Sequence, residues 1–404
     1  MNRIKCLAIS NSYPPDHAGG YELGAFNVLE SLSSEYGWIN SIFASVRKKK
    51  SLLTADTVLT GFFPGRLGPE IELINTKRAI IRNTDSINSA LTEAVGEADV
   101  IFIFNPRRLI LPQWTTVLNA EKPVFLLISD FWPQDPYGSD VFFTRSKKQN
   151  GELRDLKLRE LYRTVPASSK FFGEVAGVVM GSHFMKNAHA ESLAMVSKKC
   201  VAHWGIEVGK FPAMLFSNDR LKTVGFCGRP EKEKGLDLAL DAFRNLALEV
   251  PDLRLRIASD LKGSTFGRSI IKRINYDPIL KERVILLGHV PHDELHAKLY
   301  SQIGVLLFPS VWDEPFALTV LEAMSSGSIV VGSNTGGTPE VVDDETGYLF
   351  DPKKEGALLE ACRLAVTASE SNRLKAESAV KRILEHHTIE LMAKKIDGFV
   401  RGSM

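Results

Sequence analysis

A chain of 404 residues is long for one hydrophobic core and comfortable for two, because single cores stop growing at about 250 to 300 residues. Lys plus Arg total 50 against 48 for Asp plus Glu, a formal net charge of +2, so no overall field argues for a nucleic-acid partner. Cys6, Cys200, Cys227 and Cys362 form no CxxC pair and no zinc spacing, which suits reduced thiols in a cytosolic protein. The apolar run Ile4 to Ile9 is too short for a signal-peptide core, and no stretch approaches the roughly eighteen apolar residues of a membrane span. The expected location is the cytoplasm, with at most peripheral contact to a membrane.

In chain order, residues 3 to 10 predict a buried first strand. The turn-forming NSYPPDHAGG follows, and its Gly19-Gly20 precedes a helical pattern from Tyr21 to Leu32. Strand, glycine loop and helix in that order form a phosphate-side arrangement, although glycines before a helix often serve only the turn. A second strand near Ile39 to Val46 runs into Arg47, Lys48, Lys49 and Lys50. This charge run is read as a solvated loop, with phosphate headgroups or an anionic acceptor as the alternative. Asp99 to Phe104 and Pro123 to Ile128 are continuous apolar runs, as expected of parallel strands covered on both faces. Ser129-Asp130-Phe131-Trp132-Pro133 then places polar and aromatic groups at a strand's carboxyl end, a candidate acceptor edge. Gln134 to Lys170 reads as a loop and helix over a cleft or as a surface insertion. Val175 to Gly181 and Lys199 to His203 close the first sheet.

Trp204-Gly205-Ile206-Glu207 begins the crossing into a second unit, with the boundary placed near residue 210. The alternation restarts with a strand at Thr223 to Cys227, a cationic glycine loop from Gly228 to Gly235 and a helix from Leu236 to Leu248. Strands at Leu253 to Ser259, Arg283 to Leu287, Gly304 to Phe308 and Ser328 to Gly332 follow, each trailed by a helix or turn. The fold class is therefore α/β, with two doubly wound Rossmann-like domains facing one cleft. The expected domains are 1–209, on the side of the candidate acceptor edge, and 210–385, expected to hold a nucleotide for the reasons that follow, with 386–404 a helix predicted to cross back to the first.

The densest stretch runs from Phe308 to Glu340. Pro315 suits the first position of a helix, so the N–H groups of Phe316, Ala317 and Leu318 would face an anion at the positive end of the helix. Eight helical residues between Glu314 and Glu322 would span about 12 Å, too far for an acid/base pair on one atom but suited to the two ends of a long ligand. A nucleoside diphosphate sugar has that length. Arg229 and Lys234 beside the Leu236 helix would neutralise a departing diphosphate. No Asp-x-Asp triplet occurs, so these cations stand where a divalent metal often does, and neither metal nor cofactor is expected.

Several of these segments together resemble the donor-side signature of the retaining glycosyltransferases of family 4, which have the GT-B fold. They are Gly228-Arg229, Lys234-Gly235, Pro309-Ser310, Glu314-Pro315-Phe316, Glu322-Ala323-Met324, Gly327, Gly336-Gly337, Pro339-Glu340 and Thr346-Gly347. The resemblance covers most of residues 222 to 352; Pro14-Pro15, Gly19-Gly20 and Trp204 to Glu207 match more loosely, and the acceptor-side middle is not assignable this way. It implies that Glu314 holds donor-sugar hydroxyls, Glu322 the ribose, and Arg229 and Lys234 the diphosphate. It also implies that amides after Glu314, at Phe316, Ala317 and Leu318, together with Gly19-Gly20, complete the phosphate cradle, with Gly228 among the donor-binding residues. Gly288-His289-Val290 would then lie near the base, although a histidine such as His289 is more commonly an ordinary surface residue. The chemistry implied is front-face substitution, with the leaving phosphate helping to deprotonate an acceptor hydroxyl on a sugar, a lipid-linked glycan or a small molecule.

Two departures qualify the resemblance. Many relatives carry His-Asp where this chain has Ser129-Asp130, and Asp130 is retained as a catalytic candidate with Glu314, Arg229 and Lys234. Ala258-Ser259-Asp260 stands where a glycine-rich turn is common. The alternatives are a nucleotide-sugar-binding relative without transferase activity, and a GT-B epimerase or phosphorylase, for which Glu314 and Glu322 are poorly spaced.

Overall fold

The computed structural model describes residues 2–12, 14, 20–45, 57–60, 91–104, 111–131, 170–367 and 370–404. Gly19, Pro15, the charge run Arg47 to Lys50, Trp132, Pro133 and the segment 134–169 lie outside the described residues.

The chain divides into two compact units, one formed by Met1–His203 with Met392–Met404 and the other by Trp204–Leu391. The first contains β1 (Ile4–Ser12), β2 (Trp38–Ser45), β3 (Thr57–Thr60), β4 (Val100–Ile103), β5 (Val124–Ile128), β6 (Gly177–Met180) and β7 (Lys199–Val201). They form one sheet in the order β3-β2-β1-β4-β5-β6-β7, with every pairing parallel. The apolar runs of β4, β5 and β6 are buried at every position, as strands covered on both faces must be.

The second unit contains β8 (Thr223–Cys227), β9 (Arg254–Ala258), β10 (Val284–Gly288), β11 (Val305–Phe308), β12 (Ile329–Ser333) and β13 (Gly347–Phe350). They form a parallel sheet in the order β10-β9-β8-β11-β12-β13. The Leu236–Glu249 helix packs Leu236, Leu240, Phe243 and Leu246 into one face of its core, and the Leu318–Ser325 helix packs Val320, Leu321 and Met324 into the other. Both sheets are thus doubly wound. In each, the strand order reverses at one point, between β1 and β4 and between β8 and β11, and ligands of such sheets bind beyond the carboxyl ends of the strands there.

The C-terminal helix Ile389–Arg401 enters the first unit from Met392 onward. There Asp397 accepts a hydrogen bond from the Trp38 indole at 2.7 Å and another from Arg401 at 2.8 Å, and Phe399 meets the Phe125 ring edge-on. At its root, Gly205 lies so close to Thr388 that a Cβ would fall 2.1 Å from the Thr388 carbonyl oxygen, a contact only glycine permits.

Two expectations are corrected. Gly347–Phe350 is a strand that the sequence reading did not assign. The helix after Glu314 begins at Leu318 with Ala317 as its N-cap, so Pro315 is not its first residue. The reason is tertiary: Gly336, at φ +58°, and Gly337 press their backbone onto residues 314 and 315, where added Cβ atoms would lie 2.3 Å from the Glu314 oxygen and 2.6 Å from the Pro315 oxygen. Only Leu318 to Glu322 is helical between the two glutamates, and the eight-residue helical rise does not apply.

Candidate active site

The second sheet's reversal point gathers the predicted donor-side residues. β8 ends at Cys227, and Gly228 turns away with its N–H on the Ala258 carbonyl at 3.2 Å. A single tight turn, Lys232–Lys234, then ends at Gly235, whose φ of +68° and close approach to the Pro309 carbonyl exclude a side chain. That contact ties the loop after β8 to the loop after β11. Val311 donates its N–H to the Glu233 carbonyl at 2.8 Å, and the Ser310 hydroxyl lies 3.1 Å from the same oxygen.

Lys234 and Glu314 are consequently neighbours. Their side chains form an ion pair only 17% and 7% exposed, and the Lys234 ammonium also lies 5.5 Å from the centre of the Trp312 ring. The Ser310 hydroxyl is 3.0 Å from the same Glu314 oxygen, Oε1, while Oε2 has no hydrogen-bond partner among the described residues. The backbone at Glu314 is held by the Gly337 N–H at 2.8 Å. A buried carboxylate with one oxygen anchored and the other available is suited to accept from a ligand hydroxyl. Arg229 stands apart from this pair: its side chain is 65% exposed and meets Glu231 at 3.0 Å.

Glu322 is held differently. The His292 Nε2 lies 2.8 Å from Oε1, and the Tyr300 hydroxyl donates to Oε2 at 2.7 Å. Burial raises the Tyr300 pKa well above its ordinary value, with the charge of Glu322 adding to it, so Tyr300 remains an O–H donor. Burial likewise pushes the Cys227 thiol up to about 12, which leaves it an inert thiol. For His292 burial acts downward, but the hydrogen bond and charge of Glu322 outweigh it and the pKa is raised. Sequence reasoning missed both partners of Glu322. They lie 30 and 22 residues away, and no spacing rule links them.

Ala317 caps the Leu318–Ser325 helix without a side-chain hydrogen bond, so the first amides at Ala317 and Leu318 depend on something outside the helix. Phe316 is half-buried, with its ring 5.8 Å from that of His387. Gly288 ends β10 at φ +72° and His289 beyond it is exposed, whereas Val290 is buried in the core beside the helix and contributes packing. The Ser259 hydroxyl, at the end of β9, is buried without a partner among the described residues.

Of the predicted residues in the first unit, Gly20 is exposed and opens the helix Gly20–Tyr36, while Gly19 lies outside the described residues. Tyr21 secures that helix start by placing its hydroxyl against the carbonyls of Phe104 and Leu127, beyond β4 and within β5. Asp130 follows β5, and its carboxylate accepts from the Phe131 N–H at 2.5 Å. His189, which the sequence reading did not single out, is fully buried with Nε2 3.1 Å from the Asp130 carbonyl. A carbonyl only accepts, so Nε2 carries the proton, and burial lowers the His189 pKa, which keeps the ring neutral.

Residues 210–382 match the family model of the glycosyl transferases group 1. An uncharacterised glycosyltransferase of Methanocaldococcus jannaschii is 34% identical over 132 residues, which is 33% of this chain and 32% of that protein. The lipopolysaccharide 1,2-N-acetylglucosaminetransferase of Salmonella typhimurium is 27% identical over 177 residues, 43% of this chain and 46% of its own. The matched region thus spans less than half the length of either relative. Among solved structures, Anabaena HepE in complex with UDP and glucose has a TM-score of 0.71 at 16% identity, covering 99% of this chain and 100% of that one. Sucrose-phosphate synthase from Thermosynechococcus elongatus has a TM-score of 0.71 at 18% identity, covering 99% and 98%. The fold is the two-domain GT-B fold of glycosyltransferases, and its second sheet carries the region that matches the group 1 model.

Proposed function

We propose that the protein is a retaining glycosyltransferase that moves a sugar from a nucleoside diphosphate sugar to a hydroxyl acceptor. The observation that carries this reading is the pair of buried carboxylates, Glu314 and Glu322, on either side of an uncapped helix start, with Lys234 anchored against the first. In this reading the Glu314 Oε2 receives hydroxyls of the donor sugar, Glu322 receives the ribose, and the amides at Ala317 and Leu318 face the diphosphate with Lys234 and Arg229. HepE structures contain UDP and UDP-glucose, so a UDP-hexose is the first donor to test.

The step proposed breaks the bond from the anomeric carbon to the β-phosphate oxygen and forms the bond to the acceptor oxygen on the same face. The acceptor proton passes to the departing phosphate oxygen. Lys234 and the helix amides compensate the charge that develops on the diphosphate, the term that usually dominates such catalysis. Metal-independent transfer is part of the proposal, with Lys234 and the helix amides supplying the positive charge. No helix among the described residues is long and apolar enough to cross a membrane. The location proposed, the cytoplasm or the membrane's inner face, rests on the four free cysteines, which suit a reducing compartment.

The test is donor turnover with EDTA present, followed by the anomeric configuration of the product. Release of UDP from UDP-glucose in the presence of a hydroxyl acceptor, with the α configuration kept, is the expected result. An inverted product would overturn the retaining mechanism, and activity abolished by EDTA would overturn metal independence. Tight nucleotide binding without turnover across sugar, lipid-linked and small-molecule acceptors would favour the alternative of a nucleotide-sugar-binding relative without transferase activity.

A further inference from the structure

We propose that His292 and Tyr300 are positioning residues that set the two oxygens of Glu322 to receive the cis-diol of a ribonucleotide, and that the charge on His292 makes this recognition depend on pH. The inference rests on the reading of Glu322 as the ribose ligand and goes beyond it to what holds that ligand in place.

Each carboxylate oxygen offers two acceptor positions. On Glu322, one position on Oε1 faces His292 and one on Oε2 faces Tyr300, at 2.8 and 2.7 Å. Glu322 as a residue is only 3% exposed, and the two donors fix the plane of its carboxylate and leave one acceptor position on each oxygen. A carboxylate buried so deeply for structural reasons ordinarily meets a full positive charge, as Glu314 meets Lys234. Glu322 has instead a neutral phenol and an imidazole, so acceptor capacity is retained for two adjacent hydroxyls.

Among the described residues, the groups facing His292 are few. Phe211 packs edge-on at 5.5 Å, and the charges acting on the ring are those of Glu322, Lys210 and Glu207. Lys210 and Glu207 are themselves an ion pair at 2.5 Å, so Glu322 is the charge that His292 answers to. Nδ1 has no hydrogen-bond partner among the described residues, and the side chain is 28% exposed. The proton is therefore gained and lost at Nδ1, and the Nε2–H contact persists in both states. What changes is charge: an imidazolium draws on the carboxylate and weakens it as an acceptor, whereas a neutral ring leaves it stronger.

The experiment measures dissociation constants for UDP and for 2′,3′-dideoxyuridine diphosphate by calorimetry, with GDP and its dideoxy form in parallel, at about pH 6 and about pH 8.5. The ratio within each pair cancels the diphosphate charge and isolates the diol. The wild type is expected to favour the ribonucleotide at least about tenfold, rising about threefold further at the higher pH. His292→Gln is expected to lower the ratio and remove its pH dependence, and Tyr300→Phe to lower it several-fold at both pH values. Unchanged dideoxynucleotide binding certifies that each variant is folded. Variants that keep the wild-type ratio and its trend, or a wild-type ratio that does not change with pH, overturn the inference and leave the ribose reading standing. A wild type that binds ribo and dideoxy forms equally, or binds neither pair, removes the ribose reading and this inference with it.

Discussion

The two buried glutamates of the second unit sit on one short stretch of chain and are compensated in opposite ways. Glu314, in the loop after β11, faces the permanent charge of Lys234; Glu322, inside the helix, faces His292 and Tyr300, one titratable and one neutral. An anchored carboxylate and a responsive one can thus stand eight residues apart, because each takes its partner from a different loop. Lys234 arrives from the loop after β8, and His292 and Tyr300 arrive from the segment between β10 and β11.

The comparison breaks most severely at its charged end. Lys234→Met leaves Glu314 buried without its cation, and a loss of about 3 kcal/mol in unfolding free energy is expected from denaturant titration. Turnover is expected to fall at least about a hundredfold. Stability within about 0.5 kcal/mol of wild type would show that the pair is not the anchor described here.

Gly336→Ala strikes the same loop from its backbone. A Cβ there meets the Glu314 backbone at 2.3 Å with φ at +58°, so the loop must shift at a cost of about 1 to 3 kcal/mol. Use of the donor sugar should suffer more than affinity for free UDP, which competition binding separates.

The responsive end predicts a pH effect on folding. His292 has a folded-state pKa raised above its unfolded value, so its contribution is fully present below about pH 6.5 and is lost as pH rises through the folded value. Melting curves across that window should show the decline in wild type and a flatter profile in His292→Gln. The smallest effect belongs to Arg229→Ala. This exposed ion pair should change stability by well under about 1 kcal/mol, while UDP affinity falls and uridine affinity does not.

Much of this site was legible in the sequence, for identifiable reasons. Thr223 to Cys227 and Leu236 onward were read as a strand and a helix because continuous apolar runs and a clean 3.6-residue period admit few other readings. Lys234 and Glu314 were singled out because cations and carboxylates at strand ends are unusual without a task. The start of the helix at Leu318 was not legible, since it is imposed by Gly336 and Gly337 pressing on the chain at 314 and 315, a long-range effect that outranks proline's preference for a first turn. His292 and Tyr300 looked ordinary for the same reason: their role exists only once the sheet brings them to Glu322. β13 escaped because four residues with two half-buried positions carry little periodic signal.

The most direct test of the central claim is calorimetry of UDP and UDP-glucose, with EDTA present, against wild type, Glu322→Gln and Glu314→Gln. Glu322→Gln is expected to weaken both ligands alike, by about tenfold, whereas Glu314→Gln spares UDP and removes the extra affinity or turnover that the sugar confers. Equal losses in both variants, or the reverse assignment, would contradict the division of one donor between two carboxylates.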